Sequence, residues 1–246
     1  MINERDYVAI LCNSDRNAAQ ERRFLHMLSR QRVEGAILNV GGVTAADLLP
    51  IQSSGVRIVL LGHQVDHPAF DVVMIDDRQA AYDLVSYLIK QGHRRIAHLG
   101  GSQPNSGRLR CQGYRQALED NGIPFDPALV TECPWTQKGG YDTIRRVLER
   151  KPLPTAVFAA NDLMAIGAML AIQKAGLRIP DDIAVAGFDD IDEAACVTPA
   201  LTTVHQPKYE MGKKLAELLF SRLGAEGAPE RQCIVLPHSL AIRASA

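Results

Sequence analysis

An α/β fold with parallel sheets is predicted by two observations. Short apolar runs alternate with longer amphipathic stretches almost from end to end, the pattern of repeated strand and helix units. No linker, low-complexity tract or close internal repeat interrupts that alternation. The 246 residues, 46% hydrophobic and 22% charged, suffice to bury one large core or two smaller ones.

In chain order, the runs that read as strands are 7–11 (YVAIL), 35–40, 56–61, 72–75, 96–99 (IAHL), 156–159 (AVFA) and 183–187, with late extended segments near 202–204 and 234–236. Helices of roughly three to four turns fall between them. One starts near Arg78: Ala81, Leu84, Val85, Leu88 and Ile89 recur at three- and four-residue spacing, and Gly92 stands where a C-terminal cap belongs. Another runs from Met164 to Ala175, with Asn161 or Asp162 able to cap its first turn and Gly176 ending it before Pro180. Residues 62–71 (GHQVDHPAFD) are polar and turn-rich between two strands, a candidate crossover between lobes. Open parallel sheets gather ligands at the carboxyl ends of their strands, in the cleft where two such sheets face each other.

Charge and cysteine usage exclude several classes. With 27 basic and 28 acidic side chains and no long Lys/Arg block, this chain by itself is a poor ligand for nucleic acid. The start MINERDYVAILCNSD has neither a signal-peptide h-region nor a small-residue cleavage site, and no run approaches the roughly 18 to 20 apolar residues of a membrane span. A cytoplasmic protein without membrane contact is expected. The five cysteines, Cys12, Cys111, Cys133, Cys196 and Cys233, are odd in number and spread out, which suits idle thiols better than disulfides or zinc.

Four segments carry a more specific signal: GHRRIAHLGG (92–101), SGRLRCQGYRQAL (106–118), TAVFAANDLMAIGAMLAIQKAGLRIPDDIAVAGFDD (155–190) and PALTTVHQPKYEMGKKLAELL (199–219). Their content and order resemble the effector-binding domain of bacterial transcription repressors of the lactose/galactose-repressor (LacI/GalR) family, over nearly the whole chain. The resemblance implies two Rossmann-like lobes of the periplasmic-binding-protein-like type. Lobe 1 is expected at about 2–73 plus 207–223, and lobe 2 at about 74–206 plus 224–246. It also implies a small-molecule effector held between the lobes, modulating DNA binding by a full-length homodimer.

Six residues are candidate effector contacts. Arg110 lies three residues before Gly113, where the family places an arginine reaching into the cleft; its forked donors suit sugar hydroxyls or a carboxylate. Asn161 follows the 156–159 strand, and the resemblance turns its amide to the effector, with a helix N-cap as the rival role. Asp189, in GFDD, matches a family carboxylate that accepts from effector hydroxyls or amines, while Asp190 suits a turn or cap. Trp135, the one tryptophan, sits in ECPWTQKGG, where sugar-responsive relatives use an aromatic ring as a stacking platform. Gln206, before Pro207 at a lobe crossing, is a further contact or a partner of the hinge backbone. His63 follows Gly62 where many relatives carry an acidic residue, and it stands in for that carboxylate or leaves its hydroxyl unheld.

Other departures blur the effector's identity. His63 and His67 are four apart, but Pro68 and the turn-rich setting oppose a metal pair. Lys208 replaces an aromatic of some sugar-binding relatives. The helix-turn-helix, hinge helix and first strand of the family precede the point where this sequence begins, so the DNA-binding domain is absent and operator DNA is reachable only through it. Without its neighbour strand, residues 7–11 would expose unpaired backbone, and a destabilised or aggregation-prone first lobe is expected.

The expected function is therefore ligand sensing for a transcription regulator. Trp135, Arg110 and Asp189 favour a small polyhydroxylated effector, a sugar or sugar phosphate, and the resemblance leaves purines and nucleosides, which other relatives take, as the alternative. A periplasmic-type sugar-binding protein shares the architecture; the absence of a signal peptide and the QPKYEMG segment weigh against it. An enzyme is not expected: phosphate-loop, dinucleotide and nucleophile-elbow motifs are missing, and the pairs Asp76–Asp77 and Asp189–Asp190 suit caps better than acid/base work. No cofactor or metal is implied.

Overall fold

Parallel strands buried on both faces need helices on both sides and long crossovers, and the chain forms two such units. A computed structural model describes residues 5–15, 17–62, 67–101, 105–224 and 230–246. One unit comprises residues 1–75 and 207–236, the other 76–206 and 237–246.

In the first unit a four-stranded parallel sheet has the order β1 (Gly35–Leu38), β2 (Arg57–Leu61), β3 (Asp71–Ile75), β9 (Cys233–Leu236). Helices α1 (Ala18–Arg30), α2 (Ala45–Ser53) and α8 (Lys208–Leu223) belong to it, and α8 lies against β1, β2 and β3. Leu48, Ile58, Leu60, Phe70 and Val72 form its buried core.

Two expectations about this unit are corrected. The segment after residue 223 was placed with the second lobe, yet Cys233–Leu236 pairs with β3. The reason is a buried clamp: Arg222 Nε donates to Asp71 Oδ2 at 2.6 Å and Nη2 to Oδ1 at 2.8 Å, while Asp71 Oδ1 also accepts from the Gln232 amide at 2.7 Å. Arg222 thus ties the end of α8 to the start of β3, and Asp71 draws the returning chain alongside. The second correction concerns residues 7–11, which form no strand. Tyr7 is anchored, its hydroxyl donating to Glu34 at 2.8 Å and its ring edge-on to Phe220, but Val8 and Leu11 are 89% and 97% exposed. Apolar alternation supplies a face; a strand also needs a neighbouring strand, and β1 pairs only with β2 among the described residues.

The second unit holds a six-stranded sheet of order β10 (Ser239–Ala241), β8 (Thr202–His205), β7 (Ala184–Asp189), β6 (Ala156–Ala159), β4 (Ile96–Gly101), β5 (Val130–Cys133). All neighbours run parallel except β10 against β8. Its helices are α3 (Asp77–Lys90), α4 (Ser106–Asp120), α5 (Gln137–Leu148), α6 (Asp162–Lys174) and α7 (Asp192–Cys196). Strand β6 is buried at every residue, which is why it reads as an uninterrupted apolar run. Helix α3 is capped by Asp76, whose carboxylate accepts from the Gln79 amide at 2.9 Å, and it buries Ala81, Leu84, Val85, Leu88 and Ile89. Helices α3 and α4 pack closely because Gly113 has no side chain: a Cβ there would collide with the Arg78 carbonyl. That close approach brings Arg110 on α4 to the start of α3.

Candidate functional site

Three adjacent parallel strands, β6, β7 and β8, end at Ala159, Asp189 and His205, and Asn161 and Gln206 follow closely on the first and third of these ends. Register keeps these ends together: Phe158 is opposite Ala186, and Asp189 is opposite His205, the residue before Gln206. The carboxyl end of a parallel sheet is where chain reversals leave polar groups free to converge.

Arg110 is the centre of this cluster. Its Nε donates to Asp77 Oδ1 at 2.6 Å, and its Nη1 donates to the Ala160 carbonyl and, at 3.3 Å, to Asp189 Oδ1. Asp189 Oδ1 also accepts from Gln206 Nε2 at 2.7 Å. The guanidinium carbon lies 3.5 Å from the Phe188 ring centroid and 5.4 Å from that of Trp135, so the cation sits over aromatic faces as well as between carboxylates. Arg110 and Asp77 are buried, whereas the Asp189 side chain retains 28% of its exposure. Burial lifts the Asp189 carboxyl above the usual carboxylate range, against the lowering pull of Arg110 and Gln206.

Asn161 is the N-cap of α6: its side-chain oxygen accepts from the Met164 amide at 2.9 Å, and the residue is buried. It directly follows Ala160, whose carbonyl accepts from Arg110. Trp135 precedes α5, whose N-cap Thr136 accepts from the Gly139 amide at 3.0 Å. The structure therefore brings Arg110, Trp135, Asp189 and Gln206 into one network, with Asn161 beside it. His63 lies outside the described residues.

The sequence separates Asp189, as an effector contact, from Asp190, as a turn or cap, but reads Asp76 and Asp77 together as caps; both pairs prove to be divided. Asp76 caps α3, whereas Asp77 is the buried partner of Arg110. Asp189 faces Arg110, whereas Asp190 binds His205 Nδ1 at 2.8 Å and Arg243 Nη2 at 2.7 Å. Burial alone would raise the Asp190 carboxyl, but Arg243 and His205 together hold it below the usual range. Asp77 and Phe188 were missed; the one available signal was the absence of any capping need for a second aspartate after Asp76. Among the described residues no group of three His, Cys, Asp or Glu side chains is placed to hold a metal.

Comparison with known proteins identifies the family of the chain. A periplasmic binding protein-like domain model matches residues 85–246. The HTH-type transcriptional repressor PurR of Pasteurella multocida is 32% identical over 241 residues, covering 97% of this chain and 72% of that protein. The chain belongs to the LacI family of transcription regulators. It corresponds to the family's effector-binding part. Catabolite control protein A of Priestia megaterium is 33% identical over the same shares of each chain. Among solved structures, a complex of the transcriptional regulator CelR with cellobiose superposes with a TM-score of 0.87 at 33% identity, over 99% of this chain and 75% of that one. A LacI-family regulator from Enterococcus faecium with bound ribose superposes at 0.89 with 29% identity, over 99% and 88%. These LacI-family relatives are transcription regulators, not enzymes. No helix among the described residues is long and apolar enough to cross a membrane.

Proposed function

We propose that this chain senses a small polyhydroxylated molecule, a carbohydrate, and that Arg110, Trp135, Asn161, Asp189 and Gln206 form its contact surface on the second unit. The observation that carries this reading is the convergence of Arg110 and Gln206 on the Asp189 carboxylate, with Arg110 beside the Trp135 ring. A carboxylate acceptor, a carboxamide able to donate and accept, and an aromatic face are the groups that match the hydroxyl edge and C–H face of a sugar ring. The two ligand-bound relatives hold cellobiose and ribose, which supports the same class. Arg110 acts chiefly by orienting Asp189, because its Nε and Nη1 are already engaged. In a full-length homodimer, effector binding here would modulate contact with operator DNA. Its relatives' role as regulators favours this over a transport-type binding protein with the same architecture.

Thermal unfolding against sugars, sugar phosphates and nucleosides tests the reading. A sugar should raise the melting temperature, and Trp135→Ala and Gln206→Leu should each abolish the shift; Trp135→Ala, which removes a ring packed on the core, should also lower the unliganded melting temperature. A shift produced by nucleosides alone would overturn the carbohydrate class. Sedimentation velocity checks the dimer: a purely monomeric species at micromolar concentration would remove it.

A further inference from the structure

Asp162 is a buried carboxylate that the effector contacts do not use. It is fully buried at the start of α6, and it is not the cap of that helix, since Asn161 fills that role. Its Oδ1 accepts from the Thr203 hydroxyl at 2.6 Å and its Oδ2 accepts from the Ile191 amide at 2.9 Å. A Cβ at Gly187 would collide with Oδ1, so β7 passes this carboxylate at a distance that only glycine permits. Asp162 thus follows β6 by three residues, binds Ile191, two residues beyond the end of β7 at Asp189, and binds Thr203 within β8.

The turn it holds is one that requires holding. Asp189 and Asp190 have φ of +112° and +53°. Non-glycine residues rarely adopt such angles, and they persist where surrounding contacts over-determine them. Asp190 is fixed on one side by His205 and Arg243, and Asp162 fixes the other side through Ile191.

We propose that Asp162 is a positioning residue for the effector site, bracing the Asp189–Ile191 turn against β8 so that the Asp189 carboxylate and the Gln206 amide converge. The inference rests on the effector site described above. Burial pushes the Asp162 carboxyl up to about 7; the Thr203 and Ile191 bonds oppose that rise and the charges of Asp189 and Asp190 add to it. The charged groups facing it are those two aspartates at the end of β7, themselves held by Arg110 from α4, His205 from β8 and Arg243 near the C-terminus. The carboxylate accepts both bonds, while the protonated acid loses acceptor strength. Effector affinity therefore rises as pH rises through about 7.

The test is calorimetric titration of wild type, Asp162→Asn and Thr203→Val with D-ribose and cellobiose between pH 6 and 8, with hydrogen exchange at the Ile191 amide as a readout that needs no ligand. Asp162→Asn should weaken binding by about tenfold, the worth of one such bond, and flatten the part of the pH profile centred near Asp162's titration; what remains belongs to Asp189. Thr203→Val, nearly isosteric, should move the midpoint upward, because it removes a bond that favours the carboxylate. The Ile191 amide should exchange faster in Asp162→Asn while Met164, capped by Asn161, does not change. Unchanged affinity and pH profile in Asp162→Asn, or unchanged Ile191 exchange, would overturn the brace. If neither sugar binds wild type, the sugar reading fails, and with it the claim that the brace serves a sugar, whereas Ile191 exchange still decides whether the brace exists.

Discussion

Arg110 Nε and Asp77 Oδ1 lie 2.6 Å apart with their side chains only 6% and 7% exposed, a salt bridge between the start of α3 and α4 beneath the candidate effector surface. A buried pair of this kind contributes little net stability, since desolvation of both charges offsets most of the attraction, but removing one partner strands the other. Arg110→Ala should therefore cost about 3–5 kcal/mol by urea unfolding, from Asp77 and Asp189 left without their cation. Asp77→Asn should cost less, because Arg110 keeps Asp189 and the Ala160 carbonyl. An Arg110→Ala variant as stable as wild type would show that the cluster is not closed as described.

His98 on β4 gives the second unit an acid-sensitive core. Its ring is stacked between Tyr114 and Phe158, and Nδ1 meets the Phe158 carbonyl at 3.0 Å. Burial lowers its pKa from 6.5 to about 4, so the folded state holds it neutral. Above the unfolded value that preference costs nothing; as pH falls from 6.5 toward 4 the unfolded chain gains a proton that the folded one refuses. Stability should fall by about 3 kcal/mol over that window on this account alone. His98→Phe should flatten this part of the acid limb, at a cost of about 1 kcal/mol at neutral pH for the lost bond to the Phe158 carbonyl. An equally steep acid limb in the variant would assign the loss elsewhere.

Two glycines in helices make opposite predictions. Gly113→Ala drives a methyl into the Arg78 carbonyl, so α4 must move away from α3; about 1–3 kcal/mol should be lost, with Arg110 displaced from Asp77. Gly212, on α8, has nothing within 4 Å of a built Cβ, and Gly212→Ala should stabilise by about 0.5–1 kcal/mol through helix propensity. Denaturation midpoints of the two single variants check both signs.

What was legible in the sequence follows from what each element touches. Strands β2, β3, β4, β6 and β7 read clearly because continuous burial makes them apolar runs. Strands β5 (VTEC) and β10 (SLA) lie at the sheet's two edges and carry polar residues, so nothing separates them from loops. Arg110, Trp135, Asp189 and Gln206 were singled out by motif order, but their mutual geometry was not readable, since the α3–α4 approach that delivers Asp77 depends on a missing side chain at Gly113. The roles of Asn161 and Asp162 could not be divided either. Both can cap a helix, and only the positions of Thr203 and Ile191, 41 and 29 residues from Asp162, decide between them.

The segment at residues 7–11 carries the last prediction. Val8, Ile10 and Leu11 are 89%, 67% and 97% exposed, and they stand on the first unit, where β1 has β2 as its one strand neighbour among the described residues. An apolar, strand-prone run beside an open sheet edge is a template for pairing between molecules. Val8→Lys with Leu11→Lys removes apolar surface that contributes no buried contact, so unfolding free energy should stay within about 0.5 kcal/mol of wild type. Tyr7 is left in place because its bond to Glu34 and its contact with Phe220 hold the segment down. Light scattering of concentrated samples should then show the double variant remaining monodisperse where the wild type associates. If association is equal in both, the exposed run is not the adhesive surface, and the open edge of β1 becomes the element to charge next.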